Sequence, residues 1–139
     1  RMVVRRLQAI HEGGYMHNDV QPENIMFGHS GCRSDARYMP YLIDFGTAQK
    51  LDGIEPLRRD LGSVDFNSIR SGRDIERRPH DDLEALGWTL LHGLFGELPW
   101  FELTRIDWSD HALRFENVKK VQAMKERFLN EGLRFLGES

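Results

Sequence analysis

Three residues carry the chemistry this chain offers most plainly: Asp19, Asn24 and Asp44. Asp19 and Asn24 stand five apart in the polar stretch Tyr15-Met16-His17-Asn18-Asp19-Val20-Gln21-Pro22-Glu23-Asn24, which Pro22 breaks into a loop. Asn24 runs into Ile25-Met26-Phe27, a short strand by composition, and Asp44 closes a second strand, Tyr41-Leu42-Ile43. Paired strands of this kind bring both loop ends to one rim. Two carboxylates and an amide oxygen there are hard ligands, and Mg²⁺ typically takes one or two carboxylates, completing its shell with phosphate oxygens and water. Phosphoryl transfer needs this set: metal to neutralise phosphate charge, and a carboxylate to orient an attacking hydroxyl and accept its proton. Taken singly, each residue is an ordinary loop-capping type. The weight lies in the combination and its order.

The elements that must position these residues read as mostly helical. Val3, Val4, Leu7 and Ile10 recur at helical spacing, and Gly13-Gly14 stops that helix. Residues 28–38 form a turn-rich connection. Residues 47–80 show no sustained period and carry many charges with three glycines, Gly53, Gly62 and Gly72. A loop longer than about 12–15 residues in a compact domain is usually functional or mobile, so this one is expected to contact substrate or regulate. Asp81-Asp82 opens a strong helix over about 81–96, with Leu83, Leu86, Trp88, Leu90, Leu91, Leu94 and Phe95 nearly all round it. That distribution predicts a central helix buried in a core. Leu113, Val118, Val121, Met124, Phe128, Leu129 and Leu133 predict two more helices between about Ser109 and Leu136. The expected fold is a mainly α unit with short two-stranded β elements, free of repeats and linkers.

Composition narrows the classes. The chain has 139 residues, 40% hydrophobic and 29% charged, ordinary values for one globular domain. The single cysteine, Cys32, excludes an internal disulfide and favours a reducing compartment. No apolar run approaches the ~20 residues that span a bilayer. Arg1-Met2-Val3-Val4-Arg5-Arg6 lacks the apolar core of a signal peptide. An intracellular protein, cytoplasmic or nuclear, without membrane partners is expected. A net charge of -3 argues against direct nucleic-acid binding. Residues 1–80 hold 12 Lys+Arg against 11 Asp+Glu, and residues 81–139 hold 7 against 11. The basic character is local: Arg58, Arg59, Arg70, Arg73, Arg77 and Arg78 fall between 58 and 78. They form either a solvated face or an attractor for acidic or phosphorylated segments. His11, His29, His80, His92 and His111 show no metal-ligand spacing, so no zinc site is expected.

His17-Asn18-Asp19-Val20-Gln21-Pro22-Glu23-Asn24 resembles the catalytic loop H-R-D-L-x-x-x-N of the protein-kinase superfamily, and Asp44-Phe45-Gly46 stands as its D-F-G motif. The order of loop, strand pair and D-F-G makes the likeness specific. Gly62-Ser63-Val64-Asp65-Phe66-Asn67-Ser68-Ile69, Arg78-Pro79-His80-Asp81-Asp82-Leu83-Glu84-Ala85-Leu86-Gly87 and Leu98-Pro99-Trp100 are similar to the casein kinase I and vaccinia-related kinase group. The resemblance covers nearly all of the chain, most specifically residues 15–100. It implies a kinase C-lobe, with catalytic loop 15–24, D-F-G and activation segment 44–70, and the central helix of the lobe at 81–96. It implies ATP and Mg²⁺, with Asp19 as base and Asn24 and Asp44 as metal ligands. By the same resemblance Ser63 is the hydroxyl residue that bonds the catalytic Asp, His17 packs under the loop, and Asp82 holds the loop backbone. The implied reaction is transfer of the ATP γ-phosphate to Ser or Thr of a protein substrate.

Departures from that pattern carry their own implications. Asn18 replaces the Arg that pairs with a phosphorylated activation loop, as in vaccinia-related kinases, so a switch by phosphorylation is not expected. Gln21 replaces the Lys aimed at the transferred phosphate, which removes a charge and implies reduced turnover. His-Asn-Asp-Val-Gln also resembles choline and aminoglycoside kinases, which tolerate Gln there. Gly46, Ser68-Ile69 and the block from Asp82 to Trp100 side with protein kinases. No G-x-G-x-x-G loop occurs, and Lys50, Lys119, Lys120 and Lys125 are the only lysines, none in a V-A-I-K-like strand. The resemblance thus implies an N-lobe preceding Arg1, with these 139 residues inactive alone. A pseudokinase scaffold and a small-molecule kinase are the alternatives.

Overall fold

The computed structural model describes residues 1–28, 38–52, 62–73, 77–105, 109, 111–132 and 134. Helical spacing in the first segment becomes α1 (Met2–Glu12), which buries Leu7 completely. Gly13 caps it through its N–H on the Ala9 carbonyl. Gly14 then adopts φ 82°, a left-handed turn that favours glycine, and the chain enters β1 (Tyr15–Met16). Next come a single 3₁₀ turn at Pro22–Asn24, β2 (Ile25–Phe27), β3 (Pro40–Leu42) and β4 (Gln49–Lys50).

These strands form two antiparallel pairs. β2 and β3 align Ile25 with Leu42, Met26 with Tyr41 and Phe27 with Pro40. β1 and β4 align Tyr15 with Lys50 and Met16 with Gln49. The second pair is absent from the sequence reading, because two-residue strands are too short to show alternation. The other elements are α2 (Ile69–Gly72), α3 (Pro79–Phe95), α4 (Phe101–Thr104) and α5 (His111–Glu131). Ser68 starts α2 by accepting a hydrogen bond from the Ser71 N–H at 3.0 Å. Glu84 of α3 receives the Ile69 N–H at 2.8 Å and the Trp88 indole N–H at 3.2 Å.

α3 begins two residues before the expected Asp81. Pro79 fits the first turn, where its missing N–H costs nothing, and the Asp81 carboxylate accepts the Arg78 N–H at 2.6 Å. The expectation that this helix is buried all round is wrong for its outward side. Leu90 is 58% exposed and Leu94 76%, with Leu83 and Phe95 also exposed. The inward face buries Asp81, Asp82, Ala85, Leu86, Trp88 and Thr89, so two carboxylates lie where an apolar count would not look. The two further helices expected beyond residue 109 are one continuous α5 over His111–Glu131. No Gly or Pro interrupts those residues, and Gly132 follows at φ 63°.

Two apolar clusters flank α3. Leu7, Val20, Leu42, Ala85 and Leu86 join α1, the loop after β1, β3 and α3. Phe66, Trp88, Leu98, Trp100 and Val121 join α3 to α5, with Trp88 edge-on to Trp100 at 5.3 Å and to Phe128 at 5.7 Å. No helix among the described residues is long and apolar enough to cross a membrane. Cys32, His29, Arg58 and Arg59, and most of the connection 28–38, lie outside the described residues.

Lys125 is buried inside the second cluster, and burial lowers its pKa to about 7, against the opposing pull of Glu84 and Asp65. The unfolded chain therefore carries one more proton than the folded one between about pH 7 and the ordinary lysine value of 10.5. Stability contributed through this group rises with pH across that window, by up to about 1.4 kcal/mol per pH unit. Urea unfolding of wild type and Lys125→Met at pH 7, 8 and 9 checks this. The wild-type curve should climb relative to the variant, and parallel curves would exclude a depressed Lys125.

Candidate functional site

The site is assembled from the inward carboxylate of Asp82. Its Oδ2 accepts the His17 N–H at 2.9 Å, and its Oδ1 accepts the Asn18 N–H at 2.8 Å. His11 Nε2 of α1 lies 2.8 Å from the same Oδ2. One residue of α3 thus fixes two successive peptides of the loop. Asn18 holds φ 66°, a left-handed conformation that Asn tolerates better than most side chains. Its amide donates to the Thr47 carbonyl at 3.0 Å and to Gln49 Oε1 at 3.3 Å. The buried Arg77 donates to the Asn18 carbonyl at 3.1 Å. Asn18 therefore ties the loop to residues 47–49 by neutral bonds.

This turn presents Asp19, which stands only partly buried. Its Oδ2 accepts Gln21 Nε2 and Asn24 Nδ2, each at 2.9 Å, and its Oδ1 accepts the Ser63 backbone N–H at 3.2 Å. A carboxylate oxygen offers about two lone-pair directions, so among the described residues Oδ2 is filled and Oδ1 keeps one open. Ser63 reaches Asp19 through its amide, where the sequence reading assigned its hydroxyl. Gly62 enables the approach. At φ 79°, a Cβ there would lie 2.4 Å from the Asn18 carbonyl and 3.1 Å from Asp19 Oδ1.

Asn24 is buried, and both its amide hydrogens go to Asp19, one to the carboxylate and one to the backbone carbonyl at 2.9 Å. Because both partners are acceptors, Oδ1 of Asn24 faces away from Asp19. The Ile43 N–H donates to the Asn24 carbonyl at 3.0 Å, extending the β2–β3 ladder by one bond. Asp44 follows immediately, so Asn24 and Asp44 share one rim. Asp44 holds φ 59° and an exposed carboxylate whose Oδ1 accepts the Gly46 N–H at 3.1 Å. No hydrogen bond joins Asp44 to Asp19 among the described residues.

His17 is fully buried, and its Nε2 lies 3.0 Å from the Ile43 carbonyl, so that nitrogen carries the proton. Its ring meets Phe45 at 5.0 Å, and Thr47 Oγ1 donates to its carbonyl at 2.9 Å. Phe45 also borders an open apolar cleft of about 500 Å³ with Ala9, Ile10, Gly13, Tyr15 and Ala48.

Asp19, Gln21, Asn24 and Ser63 are thus joined by direct bonds, His17 and Asp82 lie beneath them, and Asp44 shares the rim. The sequence reading gave no such part to Thr47, Gln49 or Gly62, and it placed Arg77 on a solvated or substrate-attracting face, whereas Arg77 is buried against Asn18. Only Gly62 carried a signal, its place before Ser63. No group of three or more His, Cys, Asp or Glu gathers for a metal among the described residues. A free-standing metal cage is not what the donors suit. The exposed Asp44 carboxylate and the Asn24 amide oxygen are hard donors, of the kind suited to Mg²⁺ that arrives with phosphate oxygens. Asn24 and Asp44 are the residues that would hold it, where it would neutralise phosphate charge.

A family model described as fungal protein kinase matches residues 1–93, two-thirds of the chain. The matched residues run from α1 through the loop, both strand pairs and the Asp44-Phe45-Gly46 turn to near the end of α3. With the match spanning the whole of the site just described, the chain belongs to the fungal protein kinase family.

Proposed function

We propose that this chain is the C-lobe portion of a serine/threonine protein kinase, with Asp19 as the base that takes the proton of the acceptor hydroxyl. The observation that carries the reading is the hydrogen-bond pattern on Asp19. Three donors orient it, from Gln21, Asn24 and Ser63, while one lone pair on Oδ1 meets no donor among the described residues. As the acceptor oxygen bonds to the γ-phosphorus and the bond to the ADP leaving group breaks, the hydroxyl proton passes to that lone pair. Asp82 and Asn18 keep the carboxylate in register with the rim. Family membership implies ATP and metal in general, and in this reading Asn24 and Asp44 bind Mg²⁺. Elements that cover the nucleotide, a glycine-rich loop and a phosphate-gripping lysine, come from an N-lobe outside these residues.

Protein acceptors follow from the likeness of Ser68-Ile69 and the Asp82-to-Trp100 block to casein kinase I and vaccinia-related kinases. Arg78 stands exposed nearby, for acidic or phosphorylated segments, whereas Arg73 pairs with Glu126 and the half-buried Arg70 lies beside Asp81. The test is transfer from γ-labelled ATP, by the protein including its N-lobe, to acidic Ser/Thr peptides, Tyr peptides, choline and an aminoglycoside. Labelled Ser or Thr supports the reading. Label on the small molecules replaces it with a small-molecule kinase, and no label on any acceptor replaces it with a scaffold.

Gln21 supplies a further prediction. It donates to Asp19 with no charge, where a lysine would bond Asp19 and also attract the transferred phosphate. A full positive charge facing the developing charge of the transferred phosphate stabilises the transition state by about 1.4 kcal/mol, or roughly tenfold in rate. Gln21→Lys should therefore raise kcat about tenfold in steady-state assay. A fall would favour the small-molecule reading, in which Gln belongs at this position.

A further inference from the structure

Lys125 lies on α5, beyond the residues that the family match covers, and its side chain is fully buried. Nζ donates to the Val64 carbonyl at 3.0 Å and to the Asn67 carbonyl at 2.6 Å. It sits 5.3 Å from the Trp100 ring centre and 5.6 Å from that of Trp88. Glu84 on α3 and Asp65 in the turn are the anionic groups that act on it, the field of Asp65 being shared with Arg105 and His92. No carboxylate makes an ion pair with it among the described residues. Burying a lysine without an ion pair is costly, so its donors must serve these carbonyls.

Both carbonyls belong to one tight turn. The N–H groups of Phe66 and Asn67 return to the Ser63 carbonyl at 3.2 and 2.8 Å. Between them the Asp65 carbonyl accepts the Trp100 indole N–H at 3.0 Å. Three carbonyls of this turn are thus held by donors from Lys125 and Trp100. The outer end of the same turn carries the Ser63 N–H bonded to Asp19 Oδ1. Asn67 Oδ1 also packs against Gly62, at 2.6 Å from where a Cβ would stand.

We infer that Lys125 is a positioning residue: it clamps the turn 63–67 so that the Ser63 amide stays aimed at Asp19. The inference rests on the reading of Asp19 as the base. Lysine suits the task because a hydrophobe of equal length would fill the space and leave two carbonyls unmet. Neutral or charged, its amino group has hydrogens for both carbonyls, so the clamp survives its own titration.

Residue-resolved amide hydrogen exchange on wild type, Lys125→Met and Lys125→Gln tests this. Lys125→Met should lose at least about tenfold protection at Ser63 and across 63–67, while amides around Leu7 and Leu86 keep theirs. Lys125→Gln, which retains donors on a shorter stem, should lie between the two. It is read against wild type in the same way if the methionine variant does not fold. Unchanged protection at Ser63 overturns the inference, and so does an equal loss at every site, which marks a merely structural lysine. In phosphoryl transfer, Lys125→Met should lower kcat about tenfold with KM for ATP unchanged, and a rise in KM alone overturns it. Exchange needs no turnover. An inactive wild type therefore sinks the reading of Asp19 while the clamp is still judged by protection.

Discussion

Asp82→Ala should cost about 3–5 kcal/mol of stability and release the loop that carries Asp19. The carboxylate is almost completely buried and meets three donors: two backbone N–H groups and the His11 ring. Removing it leaves the His17 and Asn18 amides in a space that water does not reach, and each orphaned donor costs about 1–3 kcal/mol. A cavity on α3 adds to the loss. Asp82→Asn separates charge from shape. It keeps one accepting oxygen but turns an NH₂ toward a second donor, so it should recover less than half of the loss. Urea unfolding gives both values. A loss under about 1 kcal/mol for Asp82→Ala would show that the loop is held by other contacts.

Gly62→Ala should have a large effect of a different kind, mainly on rate. Its φ of 79° disfavours any side chain, and the new Cβ would meet backbone at 2.4 Å, where no rotamer change gives relief. Strain of this kind costs about 1–3 kcal/mol, and the clash drives Gly62 away from Asn18 and the turn away from Asp19. A shift of about 1 Å at a reacting carboxylate is enough for a hundredfold loss of rate. The expected result is a hundredfold lower kcat with only a moderate drop in unfolding free energy. Wild-type kcat in Gly62→Ala would mean that the contact between Ser63 and Asp19 plays no part in transfer.

Both residues show what the sequence could and could not reveal. Placement was legible: Asp19 meets Asn24 and Asp44 follows the β2–β3 pair as their spacing suggests, and Asp82 lies under the loop, while their parts in transfer belong to the proposal. Asn18 reads in sequence only as a missing arginine. Its neutral bonds to Thr47 and Gln49 appear once β1 and β4 pair, and strands of two residues leave no periodic trace. Helices α1 and α3 announced themselves by apolar spacing, and α1 also by its Gly13-Gly14 stop. α3 was over-read as buried all round because its outward leucines cannot be told by type from its inward ones. Lys125 was invisible for a plainer reason: a lysine in an amphipathic helix is assigned to solvent unless the fold encloses it.

The account turns on the division of labour between Asp19 and Asp44. Its most direct test is a Mg²⁺ titration of phosphoryl transfer by wild type, Asp19→Asn and Asp44→Asn, each in a protein that includes the proposed N-lobe. Asp19→Asn should lower kcat by roughly 10²–10⁴-fold at an unchanged Mg²⁺ midpoint, because it removes the proposed base. Asp44→Asn should raise the Mg²⁺ midpoint at least about tenfold, because it removes the proposed anionic ligand. Transfer that survives in Asp19→Asn, or an Asp44→Asn midpoint equal to that of wild type, would contradict the account.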